Sequence, residues 1–254
     1  MIDAATKAKW VLGSKNVSGV PAQALGSIAD SEGIKHICND YPDDDWDGTL
    51  IYKSKKRAIV INTHRGSELR HNFTFAHELG HHFLEHEPTY NENGRMEIRC
   101  TPQDIAQGGK RIEDEANQFA VELLMPEDRF RLSMAGAELD FDLMKSLSIE
   151  YQVSKEACVY RILDFTREPC AVIFTKNGAT IRSMKISRAG RGAVMRLREL
   201  PEGSLARTVI ANNSWQRGFE ECDSSLWLAK GQQGFPFFSC THGSAEFAMT
   251  ILRW

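Results

Sequence analysis

The sequence predicts an α+β fold, and three observations support this prediction. Apolar residues at helical spacing alternate with short strand-like runs through residue 165. Beyond residues 168–169 the strand-like runs and glycines predominate, so we place a domain boundary near residues 167–170. The 254 residues are 42% hydrophobic and 26% charged, an ordinary globular composition that excludes collagen, coiled coil and wholesale disorder. At about 150 residues per domain, this length allows one large domain or two ordinary ones.

A helix followed by a β-hairpin is predicted over residues 20–62. Residues 20–34 have helical spacing, with a proline at the start and a glycine at the end. The acidic residues 43–48 follow, and we interpret them as a solvated turn. Two strand-like runs, 49–52 and 58–62, then flank a basic turn. This arrangement is typical of a hairpin.

Further helices are predicted on both sides of a long loop. The helix patterns 72–85 and 111–125 are separated by residues 88–110, where glycines and prolines among polar residues indicate a loop of the kind that often carries function. Two short helix patterns follow and resemble a helix-turn-helix pair. The later segments are strand-like. In chain order, these helices and strands cover residues 139–147, 154–165, 171–174, 180–184 and 247–252.

The most informative segment has the pattern H-E-x-x-H. On a helix, residues four apart lie side by side, so His77 and His81 can bind one cation. Zinc accepts two neutral imidazoles and a carboxylate and leaves a fourth place for water. Glu78 would then act as the base towards that water, whose pKa zinc lowers towards 7. The metzincin class is ruled out because Leu84 and Glu87 stand where that class has Gly and His.

The third ligand is expected to be a carboxylate from the helix over residues 111–125. Ala116 and Ala120 are small residues one turn apart, which allows close approach to another helix. Glu113 lies on their face and is our first candidate, and Glu115 is the second. The acidic residues of this first turn would also be favourable without a metal, because they complement the helix dipole.

At this point the sequence resembles the ImmA/IrrE family of zinc metallopeptidases. The resemblance spans about residues 20–131 and fades after residue 165. It rests on an exposed Asp47-Gly48 pair followed by a strand that ends Ile59-Val60-Ile61-Asn62, on Phe73-Thr74-Phe75-Ala76-His77-Glu78-Leu79-Gly80-His81, and on Glu113-x-x-Ala116-Asn117-x-Phe119-Ala120-x-x-Leu123-Leu124-Met125-Pro126.

The resemblance implies a zincin-like, thermolysin-like core with His77, His81 and Glu113 as zinc ligands and Glu78 as the base. It also implies a substrate, because family members cleave a helix-turn-helix transcriptional repressor and thereby switch on a stress, phage or mobile-element programme. We accordingly divide the chain into a metallopeptidase core (1–131), a helical, helix-turn-helix-like extension (132–168) and a C-terminal α+β domain (169–254). Regulation is the candidate role of that last domain.

Three further residues are candidates for contacts with the substrate or the transition state. His71 and His86 flank the H-E-x-x-H pattern, and either could stabilise the oxyanion of a tetrahedral intermediate. Arg70 lies on the approach to the helix and could bind the substrate backbone.

Charge and targeting features narrow the range of partners. The net charge of −3 is too small for the whole molecule to be attracted to nucleic acid or an anionic membrane. Residues 170–254 hold 11 Lys and Arg against 6 Asp and Glu, and the basic stretch 176–198 lacks interleaved aromatics. Direct binding of nucleic acid is therefore not favoured. The sequence has neither a secretory h-region at its start nor an apolar stretch of membrane-spanning length, so we expect a cytoplasmic protein without a membrane partner.

A second hypothesis belongs to a different class of protein. The chain could be a non-catalytic regulatory module, antitoxin-like or DNA-binding, in which the zinc site is structural or vestigial. The two hypotheses differ in what they require of Glu78, which is essential in the peptidase and dispensable in the module.

Overall fold

Helices and mixed sheets alternate along the chain, so the α+β fold that the sequence predicts is confirmed. The computed structural model describes residues 2–42, 45–54, 56–64, 66–90, 96–100, 111–230 and 236–254. The chain forms two compact units, Met1–Cys158 and Val159–Trp254. The division into three parts at residues 131 and 168 stays a prediction.

The first unit combines helices with a five-stranded sheet. The elements are α1 (Ala4–Ser14), α2 (Pro21–Ser31), β1 (Ile34–Asn39), β2 (Gly48–Lys53), β3 (Lys56–Asn62), α3 (Glu68–Phe83), β4 (Thr89–Tyr90), β5 (Met96–Cys100), α4 (Arg111–Leu124), α5 (Glu127–Ser133), α6 (Phe141–Tyr151) and α7 (Lys155–Phe165), the last of which crosses into the second unit. The strand order is β1-β3-β2-β5-β4, with β1 parallel to β3 and the other neighbours antiparallel.

The predicted hairpin is confirmed as β2 and β3, and the predicted helices correspond to α2, α3, α4, α6 and α7. The prediction of a long loop over residues 88–110 is wrong where β4 and β5 form, because these two strands extend the sheet. The partner of β5 is β2, far back in the chain, and local sequence carries no signal for such a pairing. Residues 91–95 and 101–110 lie outside the described part of the chain.

The acidic turn is also different from the prediction. Trp46 and Asp47 are 5% and 2% exposed, so this part of the turn is buried rather than solvated; Asp43 and Asp44 lie outside the described residues. Asn62 at the end of β3 holds the turn, because its amide donates to the carbonyls of Tyr41 and Trp46 at 3.0 and 3.1 Å. The buried turn fixes the start of β2.

The second unit contains an antiparallel sheet. Its elements are β6 (Cys170–Lys176), β7 (Thr180–Ile186), α8 (Leu205–Ala211), β8 (Glu220–Glu221), a 3-10 turn (Ser224–Leu226), β9 (Phe238–Gly243) and β10 (Phe247–Arg253). The strand order is β7-β6-β10-β9-β8. One side of the sheet packs on a core that includes Ile173, Trp227, Phe237 and Leu252. The strand-like runs in the sequence are confirmed as β6, β7 and β10.

In the described part of the chain, none of the helices has both the length and the apolar character needed to cross a bilayer.

Candidate metal centre

Helix α3 carries the H-E-x-x-H pattern in its buried C-terminal half. Apolar Phe75, Leu79 and Phe83 face the core, and the residues between them are buried as well. His77 and His81 are each 0% exposed. Since a buried polar group without a partner is costly, these two imidazoles need partners inside the protein.

A partner that both imidazoles share comes from α4, which packs closely against α3. A Cβ atom at Gly80 would lie 3.1 Å from both the Cα and the carbonyl oxygen of Ala116, which is tighter than ordinary contact. Ala116 and Ala120 are fully buried. Small residues on both helices therefore allow the close approach that the sequence predicts, and they bring Glu113 opposite the two histidines.

His77, His81 and Glu113 form a buried group that can hold a metal ion, with one ligand atom from each within 4.8 Å of the others. The Nε2 atoms of the two histidines are 3.0 Å apart. An oxygen of Glu113 lies 3.1 Å from Nε2 of His77 and 3.5 Å from Nε2 of His81. Two imidazole nitrogens and one carboxylate oxygen at this spacing suit a divalent transition metal.

The protonation states of this group also suit a cation. Burial lowers the pKa of His81 to about 4, so its imidazole is neutral near pH 7, as a metal ligand must be. Burial alone would raise the pKa of Glu113, but hydrogen bonds with His77 and His81 outweigh burial and hold that pKa well below its ordinary value. Glu113 therefore offers a negative charge, and His81 offers a neutral imidazole.

The outer nitrogens of the two imidazoles have partners as well. Nδ1 of His77 lies 3.0 Å from Oδ1 of Asn117, and Nδ1 of His81 lies 2.8 Å from Nδ1 of His86. His86 in turn reaches an oxygen of Glu115 at 3.2 Å through its Nε2. The motif behind the family resemblance includes Asn117, but the sequence pattern assigned no role to this residue. Its position one helical turn after Glu113 is the signal that could have identified it as a partner of a metal-binding histidine.

Glu78 lies on the sheet side of α3, beside the first strand residue of β2. A Cβ atom at Gly48 would lie 2.8 Å from Oε1 of Glu78 and 2.5 Å from Cγ2 of Thr74. Glycine at this position leaves the space that the Glu78 carboxylate occupies. Burial raises the pKa of the Tyr52 hydroxyl on the same strand; the charge of Arg57 opposes this rise, and the charge of Glu78 adds to it.

The remaining predicted residues lie around this centre in different ways. Arg70 forms an ion pair with buried Asp47, so its guanidinium ties α3 to the turn before β2. The sequence predicts an exposed Asp47-Gly48 pair, and this prediction is wrong because both residues are buried. His71 is half-buried in the first turn of α3. The contacts of Glu115 are with His86 and Arg111, whereas Glu113 is the acid beside both histidines.

A cavity of about 490 Å³ adjoins the C-terminal end of α3. Its walls come from α1, the strands β2 and β3 and residues 85–88, and they include Arg57, His82 and His86. His86 therefore stands between this cavity and the imidazole of His81.

The fold and the metal group together define a zincin-like protein, with an H-E-x-x-H helix and a second helix that supplies a carboxylate beside a small mixed sheet. A family model described as the IrrE N-terminal-like domain, Peptidase M78, matches residues 31–163, just over half of the chain. The chain therefore belongs to the Peptidase M78 family, which confirms the resemblance found in the sequence. Membership of this family implies a peptidase.

A solved structure described as a Mycobacterium tuberculosis transcriptional regulator has a similar fold. It superimposes with a TM-score of 0.60 over 98% of this chain and 75% of that chain, at 14% sequence identity. At this level of identity the similarity concerns the fold alone. No curated protein sequence matches the chain.

Proposed function

We propose that the protein is a zinc-dependent endopeptidase that cleaves a specific intracellular protein, a helix-turn-helix transcriptional repressor. The observation that carries this proposal is the buried group of His77, His81 and Glu113 with Glu78 next to it in the chain. A structural zinc site would have four protein ligands, whereas the group found among the described residues supplies three.

Zinc is the metal that we assign to this group. Neutral imidazoles and a carboxylate suit zinc better than magnesium or calcium, which prefer oxygen ligands alone. When bound, zinc supplies a Lewis acid that lowers the pKa of a water molecule and polarises a peptide carbonyl. The protein's own residues supply the remaining chemistry.

We assign the role of general base to Glu78. Its carboxylate would accept the proton of the attacking water and would then deliver that proton to the leaving amine. Burial at 0% exposure keeps this carboxylate away from bulk water, and Gly48 and Thr74 bound the space in which it can move. Oδ1 of Asn117 contacts Nδ1 of His77 and holds this ring in one orientation.

The repressor substrate is supported by the family, whose members act on regulators of this kind. We place the catalytic site in residues 1–131, and we propose the cytoplasm as the place of action because transcriptional repressors work there. Residues 132–168 would be a helical extension, and residues 169–254 would be a C-terminal domain with a separate role.

The test is a pair of glutamate substitutions in α3. We expect wild-type protein to bind about one zinc per chain and to cleave the helix-turn-helix repressor encoded by a neighbouring gene. Glu78→Gln keeps the size of the side chain and removes its basicity, so it should retain zinc and lose cleavage by a factor of about 10² to 10⁴. Glu68→Gln, at an exposed position of the same helix, is the control and should retain both properties.

Absence of zinc from the purified protein, with no uptake on addition, would contradict the proposal. The non-catalytic alternative gives a different result, because Glu78→Gln would then leave the biological activity unchanged. In that case charge reversal at the exposed Arg188 and Arg191 of the second unit should abolish partner or DNA binding, which a gel-shift assay would detect.

A further inference from the structure

We propose that His86 and Glu115 are positioning residues that hold the metal ligand His81 in one tautomer and one orientation. The observation is a continuous line of contacts. Nδ1 of His81 lies 2.8 Å from Nδ1 of His86, and Nε2 of His86 lies 3.2 Å from an oxygen of Glu115. The other oxygen of Glu115 accepts a hydrogen bond of 2.8 Å from Arg111.

The partners at the two ends of this line determine where the protons lie. Nε2 of His81 faces His77 and Glu113, so it must carry a free lone pair to bind a metal. With a metal on Nε2, the one proton of the neutral His81 ring is on Nδ1, and Nδ1 donates to His86. Since two ring nitrogens at 2.8 Å share one proton, Nδ1 of His86 is the acceptor.

The same reasoning continues through the second ring. With Nδ1 of His86 accepting, the proton of that neutral ring is on Nε2, which donates to Glu115. An ionised carboxylate can only accept, so hydrogen-bond donation runs from His81 through His86 to Glu115. Arg111, four residues earlier on α4, holds the carboxylate in place.

This geometry assigns His86 and Glu115 roles other than those suggested by their sequence positions. His86 contacts the side of the His81 ring away from the ligand group, which suits support of the ligand rather than contact with an oxyanion. The carboxylate of Glu115 acts on the metal ligand through His86. The side chains of His81 and His86 are 0% and 5% exposed, so water does not replace the hydrogen bond between them.

The inference rests on the metal site of the proposed function but not on peptidase activity, so it is tested on zinc affinity. The dissociation constant of zinc would be measured by competition with a chromophoric chelator. Loss of an outer partner of a metal-ligating histidine typically weakens binding 10- to 100-fold. We expect this loss for His86→Gly and for Glu115→Ala. Glu115→Gln keeps an acceptor oxygen and should lose less than Glu115→Ala. Glu87→Gln, at an exposed neighbouring position, should have no effect.

The cavity beside His86 provides a second measurement. His86→Gly removes the ring from the wall of a cavity of about 490 Å³, so free imidazole can enter and take its place. We expect imidazole to tighten zinc binding by His86→Gly, whereas in wild type and in Glu115→Ala it can only compete for zinc. A merely structural role of His86 would not be restored by a free ring.

Zinc affinities equal to wild type in both His86→Gly and Glu115→Ala would overturn the inference. If circular dichroism shows that His86→Gly does not fold, the zinc affinities of Glu115→Ala and Glu115→Gln are compared instead. Equal affinities in that pair would also overturn the inference. If wild-type protein binds no zinc, this result contradicts both this inference and the proposed function. Wild-type protein that binds zinc but cleaves nothing contradicts the proposed function alone.

Discussion

The space around Glu78 is set by one glycine. Gly48 has no side chain, and a Cβ atom built there would lie closer than van der Waals contact to both Thr74 and Glu78. Thr74 is 2% exposed and Glu78 is 0% exposed, so neither can move out into solvent. The backbone at Gly48 does not have a positive φ, so the need for glycine here is steric.

This packing predicts the effect of Gly48→Ala. The added methyl group should displace the Glu78 carboxylate while the three metal-binding residues, on other faces of α3 and on α4, stay in place. We expect retained zinc and a loss of about 10²-fold in kcat/KM, as a displacement near 1 Å can cause. Zinc content and cleavage rate would be measured together.

Gly13→Ala is a matched control, because a Cβ atom at Gly13 meets nothing within 4 Å. It should leave zinc content and cleavage rate unchanged. Normal cleavage by Gly48→Ala would contradict the steric role of Gly48, and loss of zinc together with activity would show that the displacement reaches the ligands.

At the scale of residues, the sequence predicts what local geometry determines. The four-residue spacing of His77 and His81 places them on one face of any helix, and the spacing of Ala116 and Ala120 indicates which face of α4 approaches it. The contact between His81 and His86 depends on how the chain turns after α3, where Glu85 has a positive φ of 57°. Helical periodicity does not predict that turn, so the sequence did not indicate this contact.

At the scale of elements, an ion pair joins the ends of α1 and α2. Lys15 and Glu32 are the first residues after these helices, and the Nζ and Oε1 atoms are 2.5 Å apart. Glu32 also lies 3.4 Å from Nε2 of His82 on α3. The hydrogen bond from Lys15, against the effect of burial and with help from His82, lowers the pKa of Glu32.

This shift predicts how stability depends on pH. The folded-state pKa of Glu32 is below its ordinary value of 4.5, so the ionised group stabilises the fold above that pH. The contribution is lost as the pH falls through the folded-state pKa. We expect Glu32→Gln to lower the free energy of unfolding by about 1 kcal/mol or less near pH 7, with the difference from wild type vanishing in acid. Thermal melts of metal-free protein between pH 7 and pH 3 would measure it.

Glu220→Gln on β8 is the control, since Glu220 is exposed in the second unit. Its difference from wild type should show no such decrease in acid. A difference between Glu32→Gln and wild type that stays constant over the whole pH range would contradict the role of the ion pair.

The elements that the sequence does not predict have weak local patterns. In β1 only Ile34 is buried and the five residues after it are exposed, so neither alternation nor a continuous apolar run marks this strand. The strand exists because β3 offers a parallel edge from residue 57 onwards. Helix α1 is an exception among the elements that were not predicted, because Ala4, Ala8 and Val11 lie at helical spacing after an N-cap at Asp3, and this pattern was present in the sequence.

At the scale of the whole molecule, the metal group is drawn from the first unit alone. The second unit has a core of its own around Trp227 and Phe237. The basic residues of the second unit are not part of this metal group. They give residues 170–254 a net positive charge, although the chain as a whole is nearly neutral. Zinc should accordingly stabilise the two units unequally.

Chelation of zinc from the full chain tests this inequality. A ligand that binds only the folded state stabilises it, by about 2.7 kcal/mol when its free concentration is 100 times the dissociation constant. Removal of zinc with EDTA should therefore speed amide hydrogen exchange in α3 and α4, and leave β6, β9 and β10 unchanged, as read by mass spectrometry. Glu113→Ala, which lacks one ligand, should exchange fast in these helices with or without EDTA. Equal acceleration in the second sheet would contradict the prediction, because zinc would then stabilise both units as one cooperative structure.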